Sequence, residues 1–336
     1  MTEKLKIIIL STLLTLISAS IGITSLVSNI FEGSTIYILL SSAVIIVIII
    51  SLIDLGSIKL KELINHPLIK TLSIIFLSFS LIYYLSIIGI LINNLFYIIT
   101  PITITLSIIL ILTIILSCNK RLINNNIFLL LGIISIIFII FFTFLFPNSN
   151  LKLDVININK RSIYLYSYII LIVDLIFYKL HFSQKPDKTL SKTLIISSLT
   201  AIILLSFYTY LDLTITKVNY TNTPFRNILK YLLVLPNSNI YLDLLYLIIV
   251  FVVIVFKLII YGDYLRILLL CKKNIKSYFF IYLIVFLVGN TLVNQVKNEM
   301  IYLNNLLAIL TCVSILLIIL IGGVRVVKRI YRFTKK

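Results

Sequence analysis

What the sequence has least of is charge, and acidic charge above all: 11 Asp and Glu stand against 29 Lys and Arg in 336 residues, and charged residues make up only 12% of the chain. So little charge excludes the solvated surface of an ordinary soluble domain. The few acids are scattered, so no carboxylate pair suggests acid–base chemistry. His66 and His181 lie far apart, and Cys118, Cys271 and Cys312 lack metal-ligand spacing, which argues against a zinc site or a disulfide framework. No HExxH, P-loop or GxSxG motif occurs. The sequence therefore predicts no enzyme, no catalytic residue, no metal and no cofactor.

What is present is apolar. Hydrophobic residues are 61% of the chain and the mean hydropathy is +1.18. A polytopic helical membrane protein follows, because each span needs roughly 20 apolar residues and such runs fill most of the sequence. Ten candidate spans can be drawn, at about 7–28, 35–57, 71–92, 99–118, 126–146, 163–182, 193–213, 240–262, 277–294 and 301–324. Lys4, Lys6 and Ser18-Ala19-Ser20 loosely suggest a signal peptide, but the first apolar run continues through Val27, beyond a signal core.

The net charge of +18 sits in short clusters between apolar runs, ending in Arg325, Lys328, Arg329, Arg332, Lys335 and Lys336. Clusters of this kind orient a membrane protein and meet anionic lipids at the cytoplasmic face, and they argue against a nucleic-acid partner. With both termini inside, 21 basic residues are cytoplasmic and seven are outside. The expected organisation is one integral membrane domain, 1–336, made of five-helix halves at 1–146 and 163–336. An odd number of spans per half makes the halves antiparallel, and the connections 57–69 and 214–239 occupy equivalent places in them. Within the second connection, Pro224 leads FRNILKYLLVL, whose Arg226 and Lys230 form an i,i+4 basic pair on a short interfacial helix.

Several residues are candidates for a site. SASIGITS at 18–25 offers Ser18, Ala19, Ser20 and Gly22 either for tight helix packing or for a local opening of the hydrogen-bond ladder toward a ligand. Asp174 lies deep in SIYLYSYIILIVDLIFYKL, where a lipid-exposed carboxylate costs about 2.5–3.5 kcal/mol, so it should face a cavity or a partner, with Lys179 as the bland partner. Tyr83, Tyr84, Tyr168 and Tyr246 could supply hydroxyl or aromatic contacts, while Tyr166 is more ambiguous. Asp54, Asp212 and Asp263 lie near span ends, and Lys257 could run its stem toward the inner interface. Gly22 and Asp174 are expected to face one another.

The stretch PFRNILKYLLVLPNSNIYLDLLYLIIVFVVIVFKLIIYGDYLRIL, 224–268, resembles the membrane B subunit of bacterial spore nutrient-germinant receptors, a branch related to amino acid–polyamine–organocation transporters. Pro224, Arg226, Asp243 and Lys257 match by position, and the first half adds Gly22, Glu32 and Gly33. FLFPNSNLKLDVININ at 144–159 is similar to that family's connection between spans five and six. The resemblance implies an all-α polytopic fold of about ten transmembrane helices, a five-plus-five inverted repeat with LeuT/APC-like architecture and first and sixth spans interrupted around a pocket. No glycine or proline marks such a break near Asp174. It also implies an A subunit and a lipoprotein C subunit as partners, the spore inner membrane as location, and an amino acid or related nutrient as ligand. Pro224, Arg226, Lys230 and Asp243 would then serve the partner interface. An amino acid/cation secondary transporter is the competing expectation.

Overall fold

The computed structural model describes residues 3–24, 26–27, 35–53, 65–96, 102–118, 133, 162–182, 192, 195–206, 239–295 and 299–334. Nine α-helices occur among them. In chain order they are α1 (Glu3–Ser18), α2 (Thr35–Ile53), α3 (Pro67–Phe96), α4 (Ile102–Cys118), α5 (Ile170–Phe182), α6 (Ile195–Ser206), α7 (Asn239–Leu268), α8 (Ile275–Gln295) and α9 (Glu299–Thr334). The helix α1 widens into a π-helical turn at Ala19–Thr24, and a 3-10 segment, Ser162–Ile169, leads into α5.

The sequence accounts for these elements locally. Pro67 opens α3, where its fixed φ suits the first turn and its missing N–H has no intrahelical partner to lose. Hydroxyl residues survive in apolar helices by donating back to their own backbone: Ser11 to Ile7, Thr15 to Ser11 and Thr311 to Leu307, each at 2.7 Å. The helix α7 ends with Leu270 in the left-handed region at φ 59°, while the Cys271 amide donates to the Arg266 carbonyl at 3.1 Å. Asn274 then caps α8, its side-chain oxygen accepting from the Ser277 amide at 2.8 Å.

The bundle is organised around α3, on which α7 and α9 pack most extensively, with α1 also against α7 and α4 against α8. One continuous apolar core runs through these helices. Outward faces are apolar too, with Ile104, Ile108, Ile111 and Ile115 exposed along one stripe of α4 and Phe279, Phe280, Leu283 and Leu287 along α8. A helix that is apolar on both faces belongs in a lipid setting. The chain is thus an all-α protein with several long apolar helices, as a membrane protein has.

The expectation of about ten membrane-spanning helices is corrected. Among the described residues four helices are long and apolar enough to cross a membrane: Ile7–Thr24, Pro67–Ile90, Tyr164–His181 and Ile301–Val327. Thr35–Ile50, Ile104–Cys118, Ile195–Ser206 and Ile275–Thr291 are apolar but shorter, at 10–17 residues. At 1.5 Å per residue, 17 residues reach about 25 Å, less than the roughly 30 Å of hydrocarbon core. Hydropathy counts apolar residues along the chain, whereas crossing needs them in one unbroken helix. The four helices both long and apolar enough among the described residues fall short of the ten that a five-plus-five inverted repeat needs. The LeuT/APC-like architecture, and with it the transporter-like description, amino acid transport and the amino acid–polyamine–organocation superfamily, is therefore not the fold found. The expected span 126–146, apart from residue 133, and the interfacial helix with Pro224, Arg226 and Lys230 lie outside the described residues.

Candidate ligand-binding site

The most polar place in this apolar bundle is where α5 meets α7. Asp174 and Lys257 are both fully buried, and Lys257 Nζ lies 2.7 Å from Asp174 Oδ2. Tyr261, one turn beyond Lys257 on the same face of α7, donates its hydroxyl to Asp174 Oδ1. The carboxylate thus meets a cation on one oxygen and a hydroxyl on the other. An uncompensated buried charge would be far more costly than this arrangement.

Aromatic rings complete the surroundings of the lysine. Its ammonium lies 3.7 Å from the centroid of Tyr84, 5.3 Å from that of Tyr261 and 5.9 Å from that of Tyr178. Ring faces carry negative potential, so they supply attraction where no water reaches. Phe76 and Phe177 stack at 6.0 Å, and both set edges against Tyr261, at 6.3 and 6.1 Å. These contacts fix the hydroxyl that holds Asp174.

A second set of polar groups lies along α1 and its π-helical turn. Ser18 is buried and donates to the Leu14 carbonyl, and the Tyr84 and Tyr178 hydroxyls approach it without forming a hydrogen bond of normal geometry. Ser20 donates to Ile17 at 3.1 Å, and Ala19 is buried in the turn. Thr24 and Tyr168 share a hydrogen bond of 3.1 Å, which ties the π-helical turn to the 3-10 segment. Both irregular segments thus meet at one point, and irregular turns inside helices often accompany function.

Gly22 packs against Tyr83. A Cβ at Gly22 would lie 3.0 Å from Tyr83 Cε1 and 3.1 Å from its hydroxyl, so the absent side chain is what admits the tyrosine. The ring of Tyr83 stands edge-on to Tyr84 at 5.2 Å. Its hydroxyl is buried with no hydrogen-bond partner among the described residues. A group of this kind is ready to pair with a polar guest.

The structure therefore brings Ser18, Tyr84 and Asp174 to one centre and places Gly22 and Tyr83 beside it, with Tyr168 on Thr24. Gly22 faces Tyr83 and Ile87, and the expected partner of Gly22, Asp174, instead holds Lys257. Lys257 does not run to the inner interface as the sequence suggested; it turns into the bundle because Asp174 and three rings are there. Tyr166 is exposed. Asp243 and Tyr246 lie on the α7 backbone, but their side chains are outside the described residues.

Sequence reasoning missed Lys257, Tyr178 and Tyr261 as members of the centre. A usable signal existed: Asp174 and Lys257 are opposite charges in the middle of two apolar runs, and each has a tyrosine four residues on. No family model, curated protein or solved structure matches the chain. Among the described residues no group of His, Cys, Asp and Glu could hold a metal ion.

Proposed function

We propose that the protein is a nutrient-sensing membrane subunit that binds an amino acid or a related small polar molecule at the Asp174–Lys257 centre. The observation that supports this reading is a fully buried ion pair ringed by Tyr84, Tyr178 and Tyr261. A zwitterionic ligand carries the same two charges as the pair. Its ammonium can replace Lys257 on Asp174 while its carboxylate takes Lys257, so the charges stay paired as the pair opens. Occupancy then favours one arrangement of α5 and α7 over the other, and only such differential affinity lets a ligand shift a conformation.

The resemblance of 224–268 to the spore germinant-receptor B subunit supplies the setting for this reading. In that setting the protein lies in the spore inner membrane with both termini cytoplasmic, and works with an A subunit and a lipoprotein C subunit. The test is calorimetric titration of the full chain in lipid nanodiscs against a panel of amino acids, beside germination of a deletion strain complemented with the parent or with Asp174→Asn. Binding of one nutrient that Asp174→Asn weakens, with germination shifted to higher nutrient concentration, supports the reading. Binding unchanged by Asp174→Asn refutes the site. Uptake of labelled ligand into vesicles would favour an amino acid/cation carrier instead.

A further inference from the structure

The last helix is much longer than a membrane is thick. At 36 residues, α9 extends about 54 Å, and the 21 residues from Ile301 to Ile321 already reach about 31 Å, the full hydrocarbon core. Counted from Ile301, where the apolar run begins, the core is filled by Ile321, which puts Gly322 and Gly323 at its edge and the end of that run, to Val327, beyond it. Val324–Thr334 continues the helix beyond it.

That continuation has two distinct faces. At helical spacing the sequence groups the basic positions Arg325, Lys328, Arg329 and Arg332 apart from Val326, Val327, Ile330 and Tyr331. The four apolar side chains are 57%, 66%, 58% and 59% exposed. No acidic residue follows Glu299, and the whole segment is cationic. An apolar face opposite a purely basic one fits an anionic bilayer surface, which offers hydrocarbon to one and phosphate to the other.

The two glycines have no packing reason to be there. A Cβ at Gly322 or at Gly323 would meet nothing within 4 Å, and neither has a positive φ. A glycine pair in a helix without close contact or special backbone weakens the helix locally. Straight continuation would hold the apolar face of 324–334 in water, whereas a bend at the pair lays it on the surface that the basic face seeks. We propose that Val324–Thr334 is a surface helix for anionic phospholipid, hinged at Gly322–Gly323, which folds down onto the membrane that α9 crosses.

The chain has no tryptophan, so Tyr331→Trp gives a single reporter in the full-length protein. Its emission is measured in nanodiscs of phosphatidylcholine and in nanodiscs with about 30% phosphatidylglycerol, with lipids brominated near the headgroup as quenchers. The expected result is blue-shifted, strongly quenched emission in the anionic discs and red-shifted, weakly quenched emission in the neutral ones. Arg325→Gln with Arg329→Gln should lower the preference for anionic lipid about tenfold or more. Gly322→Ala with Gly323→Ala, which meets no steric obstacle, should keep the reporter red-shifted in both. Identical emission in the two lipids would overturn the proposal, as would a blue shift that the alanine pair leaves intact. A shift seen only after a partner protein is added would overturn it too, in favour of a protein-docking helix.

Discussion

Two acid–base pairs lie on α7 within about two turns of each other and behave differently. Lys257 meets Asp174 of α5 at 2.7 Å with both side chains at 0% exposure, whereas Arg266, 13% exposed, meets the buried Asp263 of its own helix at 3.8 Å. The first pair spans 83 residues of sequence and joins two helices; the second closes a single turn. Arg266 also donates to the Cys271 carbonyl at 3.0 Å and covers Tyr278, and Tyr278 donates to Asp263. It fastens the end of α7 to the turn that follows. Equal chemistry thus serves as an interhelical centre in one place and a helix terminus in the other, and the difference lies in a 2.7 Å contact between two helices against a 3.8 Å contact within one turn.

If a tight contact between helices counts for more than a loose one within a turn, losing one partner should be more costly at the Asp174–Lys257 pair. Lys257→Met leaves Asp174 buried without its cation and should lower stability by about 3–5 kcal/mol, read as thermal unfolding in nanodiscs. Adding Asp174→Leu should recover most of that loss, since two apolar groups leave no orphan charge. A double variant as unstable as Lys257→Met would break the comparison. Between the two pairs lies Gly262, where a Cβ would come within 2.3 Å of the Tyr282 hydroxyl. That hydroxyl donates to the Leu258 carbonyl at 3.0 Å, so the ring cannot move without losing the bond. Gly262→Ala should therefore cost about 1–3 kcal/mol, and Tyr282→Phe should relieve part of it.

Tyr83 sharpens the contrast between holding the fold and holding a ligand. Its hydroxyl has no partner among the described residues, so Tyr83→Phe should change stability by less than about 0.5 kcal/mol yet weaken nutrient binding about tenfold. Equal binding by Tyr83→Phe and the parent would remove Tyr83 from the site. A small effect on stability also belongs to the looser pair. Arg266→Gln should cost about 1 kcal/mol, well below Lys257→Met in the same unfolding measurement, because the contact is long and Asp263 keeps the Tyr278 hydroxyl as a donor.

Residue type alone made some of this legible and tertiary packing hid the rest. Apolar runs located helices well, as 35–57 became Thr35–Ile53, and Pro67 moved the start of α3 ahead of the expected 71. Among the described residues the same runs overstated how many helices are long and apolar enough to cross a membrane, because an apolar stretch of 10–17 residues within a helix is too short. The end of α7 was also hidden: the expected span ended at 262, yet the helix continues to Leu268, and Gly262 serves the approach of Tyr282. Asp174 announces itself as a carboxylate in an apolar run. Its partner does not, because Lys179 is near in sequence and only the packing of α5 on α7 selects Lys257.

The central claim is that Asp174 and Lys257 form one buried unit that a ligand opens. A double-mutant cycle with Asp174→Asn and Lys257→Gln, read by thermal unfolding of the full chain in nanodiscs with and without the bound nutrient, tests it most directly. The account predicts a coupling of about 2 kcal/mol or more without nutrient, and a clearly smaller one at saturating nutrient, when each charge has a ligand group as its partner. Losses that add within about 0.5 kcal/mol in the absence of nutrient, or a coupling that nutrient leaves unchanged, would contradict it.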